Sequence, residues 1–323
     1  MSNSNKLRGL GSLTVPTVLF VVLLLVAAVQ APRLYSVSGF ASAILVSAPL
    51  ILATLSLTPI VMAGRGAVDL SVGPLIGFLN VTLIAWLSGN GITNPILFCL
   101  WALVAGATYQ GIQALIVIYV RISPIIVALS GYLILTGVNL MVMKRPGGVA
   151  PDWMYSWAGG GEPQIFSPIL WLVLAALCLW GLVTRTGFHR QLRLVGADER
   201  MAYTAGVRVD LIRLLAYALG GVFAGFAALS YTALISSGDP TQGSTYTLQA
   251  VTALVLGGAS LAGGRGGAMG AVLGALNMFL ISYLLGSFNF GTLSGFITSL
   301  AYGAILAVSL LINVFATQPN SKA

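Results

Sequence analysis

Apolar runs of about twenty residues, broken by short clusters of charge, glycine and proline, recur along this chain. A helix crosses the hydrocarbon of a bilayer with roughly 20 apolar residues, so each run predicts one crossing. With charges and Gly/Pro clusters taken as breaks, ten spans are expected: 13–30, 40–63, 73–87, 95–119, 122–143, 167–183, 214–235, 248–262, 268–285 and 293–315. The third and eighth are the shortest. The predicted fold is all-α and polytopic, a single transmembrane domain over residues 1–323. Lys6 and Arg8 ahead of an apolar run ending in Val29-Gln30-Ala31 resemble a signal peptide. The run is long for such a segment and Pro32 follows the supposed cut, so an uncleaved first span is expected.

Composition agrees with the pattern. Of the 323 residues 58% are hydrophobic and 7% charged, with a mean hydropathy of +0.97, whereas a soluble domain carries about 25% charged residues. The formal charge of +8 first suggests nucleic acid, but the basic residues sit in short connectors between apolar runs, so no nucleic-acid partner is expected. They report orientation instead. With a cytoplasmic N-terminus, the inside holds Lys6, Arg8, Arg65, Arg121, Arg185, Arg190, Arg193, Arg200, Arg208, Arg213, Arg265 and Lys322, and the outside holds Arg33, Lys144 and Arg145. Both termini are then cytoplasmic. An external loop over 144–166 carries Trp153, Tyr155, Trp157 and a Gly159-Gly160-Gly161 run, and an internal loop over 184–213 carries six arginines, His189 and three carboxylates.

Cys99 and Cys178 lie inside apolar runs, and His189 is the single histidine. A disulfide framework, a zinc site and a histidine-based catalytic triad are therefore not expected, nor is any catalytic residue or metal. The absence of GxxxxGK[ST] argues against ATP held by a P-loop. No run of ionisable groups falls in mid-span, which argues against a proton pump or voltage sensor.

Polar features remain at three places. The run Gly64-Arg65-Gly66-Ala67-Val68-Asp69-Leu70-Ser71-Val72-Gly73-Pro74 cannot be a continuous lipid-facing helix. Asp69 would cost about 2.5 to 3.5 kcal/mol at the bilayer centre. Two readings stay open: a broken helix on a translocation path, with Asp69, Ser71 and Gly73 in it, or a turn in which Asp69 caps the third span. The run Gly196-Ala197-Asp198-Glu199-Arg200-Met201-Ala202 through Gly206 reads as a short helix, with acidic residues in its first turn, a glycine at its end and a small apolar face of Met201, Ala202 and Ala205. It would suit either a soluble motor or a plain topology-setting loop. The third run holds Gly257, Gly258, Gly264 and Gly266, followed by Gly270 and Gly274. Gly266, Gly270 and Gly274 at i, i+4 and i+8 would give a smooth packing face. The 63–66 and 263–266 segments also echo each other 200 positions apart, as a duplication or a coincidence of composition. Asn80, Gln110, Gln113, Asn139, Gln249 and Asn277 lie within spans, either as interhelical glue or as contacts for a neutral polyhydroxylated solute.

Three segments match one pattern. Val68-Asp69-Leu70-Ser71-Val72-Gly73 is similar to GGIDLSVG, 195–207 to GGNPEAARLSGI, and 254–266 to VVLGGTSLFGGRG. In order and spacing they resemble the permease subunits of ABC-type monosaccharide importers, the ribose-transporter permease family, which also serves xylose, galactose, rhamnose and autoinducer-2. Arg65-Gly66-Ala67 departs from the family's Ser-Gly-Gly-Ile run, and Asp198 stands where it often has Pro. The resemblance implies a multi-pass protein of the bacterial inner membrane with no cofactor of its own. It implies a cytoplasmic ATPase subunit docked on Gly196, Ala197, Asp198, Glu199, Arg200, Ala202 and Gly206. A periplasmic sugar-binding protein would meet the external loops, including Asp239-Pro240 and the Trp153/Trp157 stretch, and a second permease subunit, identical or homologous, would complete the pathway within membrane lipid. Asp69, Ser71, Gly73, Asn80, Gln110, Gln113, Asn139 and Asn277 are the pathway candidates. Permeases for nucleosides or branched-chain amino acids share this architecture, and a secondary transporter would need no ATPase.

Overall fold

The computed structural model describes residues 2–160, 164–288, 295–297, 300–305 and 307, without the side chains of residues 2–12. Its long helices are α1 (Ser2–Gln30), α2 (Val37–Met62), α3 (Val72–Thr82), α4 (Pro95–Leu115), α5 (Pro124–Val142), α7 (Pro168–Arg185), α10 (Val209–Ile235) and α12 (Ala268–Ser287). Shorter ones are α6 (Asp152–Trp157), α8 (Gly187–Ala197), α9 (Glu199–Thr204) and α11 (Thr245–Leu256). A π turn over Leu83–Leu87 lengthens α3, and another over Ile116–Val120 lengthens α4. Eight helical segments among the described residues are long and apolar enough to cross a membrane. The chain is an all-α, multi-pass membrane protein.

One of the ten expected spans differs, and another lies mostly outside the described residues. The eighth, 248–262, is helical only as far as Leu256. The 12 residues of α11 rise about 18 Å at 1.5 Å each, roughly half of the hydrocarbon layer. The apolar run continues past Leu256, but Gly257 and the turn through 267 end the helix. The tenth, 293–315, falls mostly outside the described residues, as do the cytoplasmic C-terminus with Lys322 and Gly161 of the external glycine run.

α2 forms the centre of the bundle. Every residue from Ser47 to Met62 is buried, as expected of a helix that is apolar on all sides. α10 packs between α2 and α4, α3 packs on α5 and α10, and α11 packs on α12 and α2. α1 lies outermost against α12, and Asn277 Nδ2 donates across that contact to the Pro16 carbonyl at 2.9 Å. Close approach in this protein goes through glycine. A Cβ on Gly274 would stand 1.8 Å from the Ala253 carbonyl oxygen, and one on Gly270 2.3 Å from that of Gly257. Gly266, expected on the same helical face, precedes α12, which begins at Ala268.

Candidate functional site

At the end of the bundle that the arginine count assigns to the cytoplasm, α2 stops at Met62. Gly64, Arg65 and Gly66 follow, with φ of 81°, 58° and 63°. Three successive left-handed residues reverse the chain, and two of them are glycines, which adopt that region readily. Residues 67–71 then run without helix until α3 starts at Val72. The break lies within the expected 64–74 segment.

Asp69 is 1% exposed. Its Oδ1 accepts from the Ser71 amide at 2.7 Å and from Ser71 Oγ at 2.6 Å, and its Oδ2 accepts from Gln110 Nε2 of α4. Ser71 is the N-cap residue of α3, and no side chain caps this helix end. Asp69 therefore closes a local turn rather than capping the third span. Gln113 Nε2, one turn along α4, donates to Ser71 Oγ and to Tyr109 Oη, each at 2.7 Å. The amide Oε1 of Gln110 is buried without a partner. Thr247, in the first turn of α11, accepts from the Gly73 amide at 3.2 Å and donates to the Leu70 carbonyl at 3.1 Å. The half-length helix thus brackets the start of α3.

Four of the pathway candidates, Asp69, Ser71, Gln110 and Gln113, form one buried polar cluster, with Gly73 at its edge. Others lie apart. Asn139 of α5 donates to the Pro74 carbonyl at 3.0 Å. Asn80 is fully engaged farther along α3: it donates to Thr232 Oγ1 at 2.9 Å and the Ser237 carbonyl at 3.0 Å, and accepts from the Asp239 amide at 2.8 Å. Asn277 is remote, on the α1–α12 contact. The aromatic external loop, expected from the resemblance to meet a binding protein, is held in place by its own contacts. Trp153 packs edge-on against Phe98 and Trp157 and donates to the Thr93 carbonyl, while Gly147 pairs with Gly238, so the loop is pinned over the outer ends of α4 and α10.

The internal loop is mostly helical. α8 was not anticipated; its apolar residues Leu192 and Val195 turn inward, and arginines face out. Asp198 interrupts the helix in extended conformation, then caps α9 by accepting from the Met201 amide at 3.0 Å. The expected apolar face of α9 is split: Ala202 is buried, whereas Ala205 is exposed and Met201 is 62% exposed, as is Tyr203 beside it at 74%. Beside them lies an open cleft of about 1390 Å³, bordered by Asp198, Arg200, Tyr203, Gly206 and Asp210. Glu199 accepts from both Arg65 and Arg213. Partial burial pushes its carboxyl up, but the hydrogen bonds and charges of the two arginines outweigh this and hold it below the ordinary carboxylate value.

Gly196, Gly64 and Gly264 meet beneath α9. The Gly264 amide donates to the Met62 carbonyl at 3.1 Å, and a Cβ on Gly264 would stand 2.8 Å from the Ala197 nitrogen. The two echoing segments, 63–66 and 263–266, are thus neighbours in space, a placement that one-dimensional reading left undetermined.

Comparison with known proteins places these features in a family. The model for "Branched-chain amino acid transport system / permease component" matches residues 39–288. The Ribose import permease protein of Bacillus subtilis (strain 168) is 28% identical over 251 residues, covering 77% of this chain and 76% of that protein. The "Probable ABC transporter permease protein YphD" of Escherichia coli (strain K12) is 28% identical over 313 residues, covering 95% and 90%. The Autoinducer 2 import system permease protein of Salmonella paratyphi B (strain ATCC BAA-1250 / SPB7) is 27% identical over 287 residues, covering 85% and 81%. No solved structure matches. The family model spans the broken helix at Asp69, the α8–α9 pair and the glycine turn before α12, and on that match the chain belongs to this family of transport-system permease components.

Proposed function

We propose that the chain is the membrane-spanning permease subunit of an ATP-driven importer in the bacterial inner membrane, which passes a simple sugar delivered by a periplasmic binding protein. ATP is hydrolysed in a separate subunit that docks on α9, and a second permease subunit, identical or homologous, completes the pathway. The observation that carries this reading is α9 itself: a two-turn helix that buries Ala202 and presents Met201 and Tyr203 to the cytoplasmic side beside an open cleft. Large exposed apolar side chains on a charged connector fit a protein partner better than solvent. The Asp69–Ser71–Gln110–Gln113 cluster, uncharged apart from one carboxylate, is assigned to the pathway core, where amides and hydroxyls suit a neutral polyol.

The test is reconstitution of the full chain with its cognate ATPase and binding protein. Stimulation of ATP hydrolysis is measured across a panel of monosaccharides, with a branched-chain amino acid and a nucleoside tested beside them. Stimulation by a sugar is expected, and the Met201→Ala/Tyr203→Ala double variant should reduce it at least tenfold. Stimulation only by the amino acid or the nucleoside would replace the substrate class. Native stimulation in the double variant would remove α9 from the docking surface.

A further inference from the structure

Both carboxylate oxygens of Glu199, the first residue of the docking helix, are held by arginines distant in sequence. Arg65 Nε donates to Oε2 at 2.6 Å and its Nη2 to Oε1 at 2.5 Å, a two-pronged fork, while Arg213 Nη2 reaches Oε2 at 3.1 Å. Arg213 is 2% exposed at the base of α10. Arg65 lies four residues before Asp69 and holds φ of 58° although it carries a side chain. Such a conformation persists where its surroundings fix it, and here the fork is what the Arg65 side chain reaches. An ion pair this exposed adds little to stability. Its value is geometric, because a guanidinium fork on a carboxylate sets orientation as well as distance.

Beneath the fork is the glycine contact. A Cβ on Gly64 would stand 3.0 Å from Gly196 Cα, and one on Gly196 1.9 Å from the Met62 carbonyl oxygen. Main chain therefore touches main chain at the foot of α9, with no flexible side chain between to absorb movement. We propose that Arg65 is a positioning residue that gears the docking helix to the broken segment: the fork carries a displacement of α9 to 65–71, and so to Asp69, while the Gly64–Gly196–Gly264 contact acts as its fulcrum. This rests on the docking role of α9 proposed above. It assigns a transmission function to a residue that departs from the family's Ser-Gly-Gly-Ile run.

The decisive variant is Arg65→Gly, which deletes the fork and suits the left-handed backbone. In proteoliposomes holding the full complex, with radiolabelled ribose as the probe or the panel sugar that stimulates best, uptake and ATP hydrolysis are measured on the same vesicles. Arg65→Gly is expected to assemble with the ATPase and keep basal hydrolysis while uptake per ATP falls about tenfold. Arg65→Lys, which restores charge without the fork, should lie between the two. In an Arg65→Gly/Glu199→Gln cycle the double variant should be no worse than the poorer single one. Native uptake per ATP in Arg65→Gly, additive losses in the cycle, or failure of Arg65→Gly to assemble each overturns the gearing. In all three cases, stimulated hydrolysis by the native complex leaves the permease assignment standing. If the native complex itself shows no stimulation, both readings fall.

Discussion

Replacing Gly196 with alanine places one methyl group where three segments of main chain meet. The added Cβ would lie 1.9 Å from the Met62 carbonyl oxygen, 2.4 Å from the Gly264 nitrogen and 2.9 Å from Gly264 Cα. Non-bonded heavy atoms settle at about 3.5 to 4.0 Å, so the segments must part by roughly 1.5 Å. All three obstructing atoms are backbone, and no rotamer change relieves them. The same parting stretches the 3.1 Å bond from the Gly264 amide to the Met62 carbonyl beyond hydrogen-bonding range. Overpacking costs about 1 to 3 kcal/mol, and a stranded buried amide about the same again. Alanine's better helix propensity in the last turn of α8 returns about 1 kcal/mol. The net loss is about 3 kcal/mol, on the order of a hundredfold in the folded-to-unfolded ratio. The assay is thermal unfolding of the purified full chain in detergent. Gly181→Ala is the control, because no atom lies within 4 Å of its added Cβ in α7. Gly196→Ala should melt well below the native chain, by about 5 to 10 °C, with Gly181→Ala unchanged or higher. Equal melting of the two variants would refute the close three-way contact.

Two further outcomes follow from the same cleft and cluster. Asp69→Asn should destabilise less than Asp69→Ala: the new amide nitrogen can donate to Gln110 once that side chain flips its unpartnered Oε1 toward it, whereas alanine leaves Ser71 and Gln110 donors without an acceptor, a difference of about 1 to 3 kcal/mol readable by chemical denaturation in detergent. For Glu199, whose carboxyl is held below its ordinary value, the folded state binds fewer protons than the unfolded state; its contribution is therefore complete above the ordinary carboxylate pKa of about 4.3 and is lost as pH falls through the lower native value, so the melting temperature of the native chain should drop more between about pH 5 and pH 3 than that of Glu199→Gln.

Hydropathy made most of the bundle legible, because a span is a local property: twenty apolar residues are enough, whatever they touch. Where it overshot, at 248–262, the apolar run was real, but helix length was decided by the packing of Gly257 against Gly270 in the next helix, which no window along one strand of sequence contains. The charged and polar motifs were visible as residue types, and their partners were not. Asp69 could be read as a cap or as part of a broken helix with equal force until Ser71 appeared at the cap position and Gln110 at the carboxylate. The glycines were hardest to read. A glycine contact between backbones leaves no complementary side chain to recognise, so 63–66 and 263–266 read only as a duplication or a coincidence of composition, whereas they are two sides of one joint with Gly196. Their meeting on one face was nevertheless implied by topology, since the connectors that carry Arg65, Arg265 and the six arginines of 184–213 are all assigned to the same end of the bundle. Topology brings them to the same plane, and only the missing side chains let them touch. Arg65, a departure from the family's Ser-Gly-Gly-Ile run, is ion-paired with Glu199 at the start of α9. A substitution inside a motif is therefore best read against the segments that share its face of the membrane, before it is counted against the motif.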